Sequence, residues 1–246
     1  MSEKANFERD VIRIYVQELL PSDFGLREAF AQRAMAELDF NYVLWTDEAY
    51  FHLNGNVNSI RGSAWSSAPV KVLHEQPLHS PKVLVWCGFK TDFVMDPFFF
   101  DNPIKGAAYR DMLINHVESQ LRSHHCLTKT VFQQDGAPPH IEKSVKEYLS
   151  NRFPGNKVIS RHFNFSWPPR SPDLNPMDFF FWGYLKNKVY QDEIFFNTDD
   201  LRQKITSCIA EIGYDLLWKV VDNVPKRLEA VIENSGSHIE KFDSFS

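Results

Sequence analysis

Cysteine is scarce in this chain of 246 residues: Cys87, Cys126 and Cys208 form no close pair and leave one over. That excludes a disulfide framework and a zinc-knuckle spacing, and suits a reducing compartment. No run of eighteen uncharged apolar residues occurs, so no membrane-spanning segment is expected. No secretory signal is expected either, because Glu3, Lys4, Glu8, Arg9 and Asp10 interrupt the opening residues. The chain is expected inside the cell. Internal repeats are absent, as is any flexible linker long enough to separate one domain from another. Cations are not in excess: the formal net charge of -5 argues against a protein that coats nucleic acid indiscriminately.

What is present is a globular composition, 43% hydrophobic and 14% aromatic, which excludes a disordered chain and supplies ample core. The charge is unevenly spread. Residues 141–190 hold eight Lys and Arg against four Asp and Glu, and the remainder nineteen against twenty-eight. Such a basic segment on an acidic protein fits either a phosphate-facing surface or a solvated face.

The patterning changes along the chain. Residues 1–40 read as helical and polar, with Leu26, Phe30, Ala34 and Leu38 at helix spacing after a Pro21-Ser22-Asp23 start. A β-rich run from Tyr42 to Thr46 is expected to end at Asp47-Glu48. Residues 82–89 form a nearly continuous apolar run that predicts a strand covered on both faces. Phe93 to Met95 and Phe98 to Phe100 continue an antiparallel meander. Helix and strand then alternate. An amphipathic helix over 107–123 faces Tyr109, Met112, Leu113, Val117 and Leu121 inward, and a strand over 128–134 stops at Asp135-Gly136. A helix opens at Pro139, and a strand is expected near 161–165. A Pro-rich turn over 167–176 leads into helices through Val189, over 198–212 and over 215–234. This order predicts an α/β fold, a mixed sheet with helices on both faces.

Three acids stand where strand ends and turns present side chains to a substrate. Asp47 and Asp135 each follow a strand, and Asp178 lies in the first turn of a helix, two residues after Pro176. Carboxylates converging from separate elements are what two divalent cations need for phosphodiester chemistry. Each acid also has a plainer role. Asp135-Gly136 is a turn signal, Asp47-Glu48 is surface punctuation, and Asp178 at the third helical position suits capping with Asn175 as N-cap. Asp173 competes for the third position, but Ser171-Pro172-Asp173 reads as a turn that holds its loop.

The segments Trp45-Thr46-Asp47-Glu48-Ala49-Tyr50-Phe51-His52, Phe132-Gln133-Gln134-Asp135-Gly136-Ala137-Pro138-Pro139-His140 and Trp167 to Trp182, with Ser171-Pro172-Asp173-Leu174-Asn175-Pro176-Met177-Asp178 at its heart, occur in this order. Together they resemble the catalytic domain of mariner-like DNA transposases of the DDE/D superfamily, over residues 41–242. The resemblance implies a ribonuclease-H-like fold over 41–246, preceded by a helical linker remnant over 1–40. It also implies a DDD-type enzyme with Asp47, Asp135 and Asp178 as catalytic and metal-binding carboxylates for two Mg²⁺ or Mn²⁺ ions. The implied activity is strand cleavage at transposon ends and 3′-hydroxyl transfer into target DNA, in the nucleus. The partner is double-stranded DNA, with a homodimer on paired ends. In many relatives the third acid is Glu; here it is Asp. The interval from Asp135 to Asp178, 43 positions, is long for the family, and the excess is expected around Pro154-Gly155-Asn156. Too few residues precede Asn41 for the paired helix-turn-helix domains of full-length members. That leaves open a catalytically silent or domesticated DNA-binding protein. A general nuclease of the same fold fits the motif wording less well. His140, Lys143, Arg170 and Lys186 are candidate phosphate or DNA contacts, while Trp167, Trp182 and the Phe runs are expected in the core.

Overall fold

The computed structural model describes residues 17–55, 81–191 and 193–239. Five strands form one sheet in the order β3-β2-β1-β4-β5. They are β1 (Val43–His52), β2 (Lys82–Phe89), β3 (Phe98–Phe100), β4 (Val131–Gln133) and β5 (Val158–Ile159). β1 runs antiparallel to β2, from Trp45 opposite Phe89 to His52 opposite Lys82, and β3 continues antiparallel beyond β2. On the other side β4 lies parallel to β1 through Val43 and Leu44 alone, and β5 parallel to β4. The meander followed by parallel strands is therefore observed as expected.

Side chains alternate across the sheet, and each face carries its own core. Trp45, Ala49, Phe51, Val83, Val85 and Phe89 point to one side. There they meet α1 (Pro21–Glu37), α5 (Trp182–Tyr190), α6 (Thr198–Ala210) and α7 (Tyr214–Glu233). Leu44, Leu84, Trp86 and Phe132 point to the other. That side is covered by α2 (Gly106–Met112), which runs through a π turn at Leu113–Val117 into α3 (Glu118–Ser123), and by α4 (Lys143–Arg152). Tyr109, Met112, Leu113, Val117 and Leu121 are all buried, which matches the helical spacing read from the sequence.

The structure differs from the sequence reading in three places that matter to the site. Asp47 does not end its strand. β1 continues to His52, and what stops just before Asp47 is the parallel ladder to β4, so Asp47 stands past the end of one neighbour while still paired to the other. The last strand is Val158–Ile159, not 161–165. His162 takes a left-handed φ of 66° and Phe163 N–H bonds the Ser160 carbonyl, so the chain turns, and only Phe165 returns to bridge Ile159. In α1 the buried face carries Asp23, Arg27, Phe30, Ala31 and Ala34, while Leu26 is exposed. A charged residue replaces leucine there because an ionic partner awaits it. Arg27 meets Asp173 in a fully buried pair, with contacts of 2.7 and 2.5 Å. The expected helical reading of 1–16 and the last residues of the 41–242 resemblance, from 240 on, lie outside the described residues.

Candidate active site

A cavity of about 420 Å³ opens beside the end of the β1–β4 ladder, and Asp47, Asp135 and Asp178 all line it. Each acid is delivered by a different local device. Beyond the two ladder pairs, side chains continue the join between β1 and β4. Thr46 Oγ1 donates to the Gln133 carbonyl at 2.7 Å, and Thr46 N–H donates to Gln133 Oε1 at 3.2 Å. Asp47 follows on the face of α5, and its Oδ2 accepts the indole N–H of Trp182 at 2.7 Å. Asp135 begins the turn after β4. Its Oδ1 accepts the Ala137 N–H at 2.9 Å and lies 2.6 Å from Nδ1 of His140.

Asp178 sits in a π turn, Met177–Phe181, that leads into α5. Asn175 sets that turn against the sheet: its Oδ1 accepts Met177 N–H at 3.1 Å, and its Nδ2 donates to the Thr46 carbonyl at 3.3 Å. Asn175 is thus the cap expected from sequence, and its other end also reaches the residue before Asp47. A π turn inserts one surplus residue into a helix, and such turns are common at working sites.

The electrostatics separate the acids. Burial, the neighbouring Asp178 charge and Glu48 push the Asp47 carboxyl well above the ordinary range, against the Trp182 hydrogen bond. Burial and Asp135 push Asp178 up to about 7, although a hydrogen bond with Asp47 works the other way. Protein surrounds the Asp178 carboxyl, yet the cavity leaves it open to water. Asp135 moves in the opposite direction, because His140 outweighs the upward push of its burial. His140 is buried, and burial alone would lower it. The charges of Glu48 and Asp135 and its hydrogen bonds to both raise it to about 10. Its Nε2 lies 3.1 Å from Glu48 Oε1, and its ring stacks on Tyr109 at 4.2 Å. At neutral pH the set therefore holds an ionised Asp135 against a cationic imidazole and a proton between Asp47 and Asp178.

The structure brings Asp47, Asp135, Asp178 and His140 together, with Arg170 on the same cavity wall and Lys143 and Lys186 outside its lining. Arg170 lines the cavity, but Asp23 holds its guanidinium through two contacts of 2.5 Å. Lys143 is 89% exposed, 3.8 Å from Glu147 on its own helix. Lys186 is half-buried over the Phe51 ring, near enough to Asp47 to feel its charge. Asp173 is no member of the acid set, being paired with Arg27. Sequence reasoning missed Glu48, Arg161 and the Trp182 N–H. Glu48 was adjacent to a candidate, but its partner His140 lies 92 positions away.

The expected metal cluster is not pre-assembled. Among the described residues no three His, Cys, Asp or Glu side chains stand where one ion could join them. Asp135 is turned onto His140 and Asp47 onto Trp182, so the oxygens point at hydrogen-bond donors. The donor chemistry nonetheless fits a divalent cation. Oxygen ligands of like charge crowd one cavity, and two of the acids take protons for want of positive charge.

A mixed sheet in this order, helices on both faces and acids gathered where the parallel ladder ends define a ribonuclease-H-like domain. The chain matches no family model. It is similar to the Tc3 transposase of Caenorhabditis elegans, 26% identical over 223 residues, 90% of this chain and 64% of that protein. It is also similar to the Tc1 transposase of the same organism, 25% identical over 210 residues, 78% of this chain and 68% of that one. This chain thus spans about two thirds of its relatives' length. The solved catalytic domain of Mos1 mariner transposase superposes with a TM-score of 0.70 at 17% identity, over 92% of this chain and all of that one. A Mos1 mariner paired-end complex with Mn gives 0.80 at 17%, over 96% of this chain and 69% of that one. The resemblance to mariner-like transposases is borne out: the chain's homologues are Tc1/mariner-family transposases, and its fold is that of the Mos1 catalytic domain.

Proposed function

We propose that this chain cuts DNA strands at transposon ends and joins the freed 3′-hydroxyl to target DNA, as a DDD-type enzyme dependent on Mg²⁺ or Mn²⁺ and acting in the nucleus. The observation that supports this reading is the meeting of Asp47, Asp135 and Asp178 at one cavity, from a strand, a strand-end turn and a π turn. Mos1 transposase has been solved with its left transposon end, and its catalytic domain with Mn and with Mg; these are properties of that protein. In both reactions one oxygen bonds phosphorus as another leaves. Water displaces the transposon 3′-oxygen, and that hydroxyl then displaces a 3′-oxygen of the target.

Divalent cations at these acids would activate the attacking oxygen and steady the leaving one. The protein's own share is positional. Thr46 and Asn175 hold Asp47 and Asp178 side by side, the proton between them leaves when positive charge arrives, and His140 keeps Asp135 ionised and aimed. Paired DNA ends would call for two copies of the chain.

A nicking assay on supercoiled plasmid with Mn²⁺ tests the reading. Wild type should nick, and Asp178→Ala or Asp135→Ala should lose about a hundredfold or more of that rate. Equal nicking by all three would remove the enzyme assignment, and absence of nicking with retained DNA binding would favour the silent DNA-binding protein. Cleavage of RNA–DNA hybrids alone would revive the general nuclease.

A further inference from the structure

A nucleic-acid strand entering this cavity brings phosphate charge into a space walled by three acids, and like charges repel. A cation must meet it. Among the described residues, two cations line the cavity, Arg161 and Arg170. Arg170 is committed to Asp23. Arg161 makes no ion pair and no side-chain hydrogen bond among the described residues.

The backbone gives Arg161 a fixed base. Ser160 N–H bonds the Phe165 carbonyl at 3.1 Å and Ser160 Oγ bonds the Asp135 carbonyl at 3.1 Å, which ties the turn bearing Arg161 to the turn bearing Asp135. The side chain then lies directly across Gly136. A Cβ on Gly136 would come within 2.6 Å of Arg161 Cδ and 2.8 Å of its Cβ, closer than real carbon atoms approach. Glycine next to Asp135 therefore does more than favour a turn. It leaves the space through which the arginine stem passes on its way along the cavity wall.

We propose that Arg161 is the phosphate-binding residue of this cavity. Its guanidinium takes the non-bridging oxygens of a backbone phosphate in the bound strand, and Gly136 is kept bare to let it do so. A planar fork of N–H donors suits that bidentate contact better than an ammonium does. The inference rests on the nucleic-acid-cleaving reading and adds to it the residue that holds the strand.

The test is fluorescence anisotropy of a labelled DNA duplex over a salt series, without divalent cations, followed by nicking with Mn²⁺. Arg161→Ala should weaken binding about tenfold at low salt and lower the slope of log affinity against log salt by about one. Gly136→Ala should weaken binding in the same direction by displacing the arginine stem, and Arg161→Lys should keep the salt slope. Lys219→Ala, which removes the same charge from an exposed position on α7, should stay within about twofold of wild type. Circular dichroism would verify that each variant is folded.

Binding by Arg161→Ala within about twofold of wild type, at an unchanged slope, overturns the proposal even if wild type nicks DNA. Arg161-dependent binding without nicking by wild type would leave the phosphate site standing and remove the cleavage reading. A wild type that binds no DNA overturns both.

Discussion

Asp178 and Asp47 bring two carboxyls into one cavity where both hold a proton more firmly than usual, and this makes stability depend on pH. A carboxyl raised to about 7 in the fold, against about 3.9 in the unfolded chain, keeps a proton that the unfolded chain has released. Its contribution is greatest below the unfolded value and is lost as pH rises through 7. Asp47 acts with the same sign. His140 does so over a higher window, from about 6.5 to about 10. Asp135 is lowered, so its contribution is present at neutral pH and is lost on acidification below the ordinary carboxylate range. The metal-free chain should thus melt at higher temperature at about pH 5.5 than at about pH 7.5, with solvent access at Asp178 tempering the difference. Asp178→Asn should flatten the slope, and an unchanged slope would contradict the shared proton. Mn²⁺ should raise the melting temperature more at the higher pH, because fewer protons must leave there. Trp182→Phe keeps the ring packing against Phe51 and Phe181 but loses the N–H bond to Asp47. Urea unfolding should register a loss of about 1–3 kcal/mol. The three acids were legible because each sits in a distinctive run of neighbours. Glu48 and Arg161 were not, because their roles depend on where a side chain points across a turn, which spacing does not encode.

At the scale of elements, α1 is bound to the loop that leads to Asp178 by two reciprocal ion pairs. Arg27 of the helix meets Asp173 of the loop, and Arg170 of the loop meets Asp23 of the helix. Arg27 also donates to the Gly236 carbonyl at 2.7 Å and to Ser171 Oγ at 2.7 Å, so one guanidinium gathers three segments. Removing one partner of a buried pair leaves the other charge stranded, and Arg27→Ala should cost about 3–5 kcal/mol in denaturant unfolding. Replacing Arg27 and Asp173 together with Met and Leu should cost less than Arg27→Ala alone, and a greater loss would speak against the stranded-charge account. Gly236 has a left-handed φ of 80°, and a Cβ there would meet the Phe24 carbonyl oxygen at 2.0 Å. Gly236→Ala should therefore lower the melting temperature clearly, with no repair available from a moving side chain. Sequence periodicity gave α1 its helical character and put Phe30 and Ala34 on the buried face, but it placed Leu26 inward where Asp23 and Arg27 are the buried residues. It ranks leucine above arginine and has no knowledge of an aspartate 146 positions away.

For the whole molecule, the order of strands and helices was readable from the change of patterning near residue 107, since hydrophobic period is a property of the chain itself. The two separate cores follow from alternation along β1 and β2. That the three acids share one cavity depends on how β1, β4 and the turn before α5 pack together, which their positions at strand ends and a helix start suggested and the motif resemblance implied. The described N-terminal helix and the turn at residues 234–237 close on each other through Arg27 and Gly236. A chain beginning at Asn41 should consequently give a broader and much lower melting transition than the full chain; an equal melt would show that α1 is dispensable. The spacing of the acids has unequal tolerance along its length. Pro154-Gly155-Asn156 forms a turn between α4 and β5 with left-handed φ values of 73° and 63° at its last two residues, outside the cavity lining. Extra residues could be spliced in there and the acids would keep their places. Within Met177–Phe181 a single deletion would remove the surplus residue of the π turn and shift Asp178 relative to α5 and the cavity. This domain would sooner forgive a longer loop than a shorter turn.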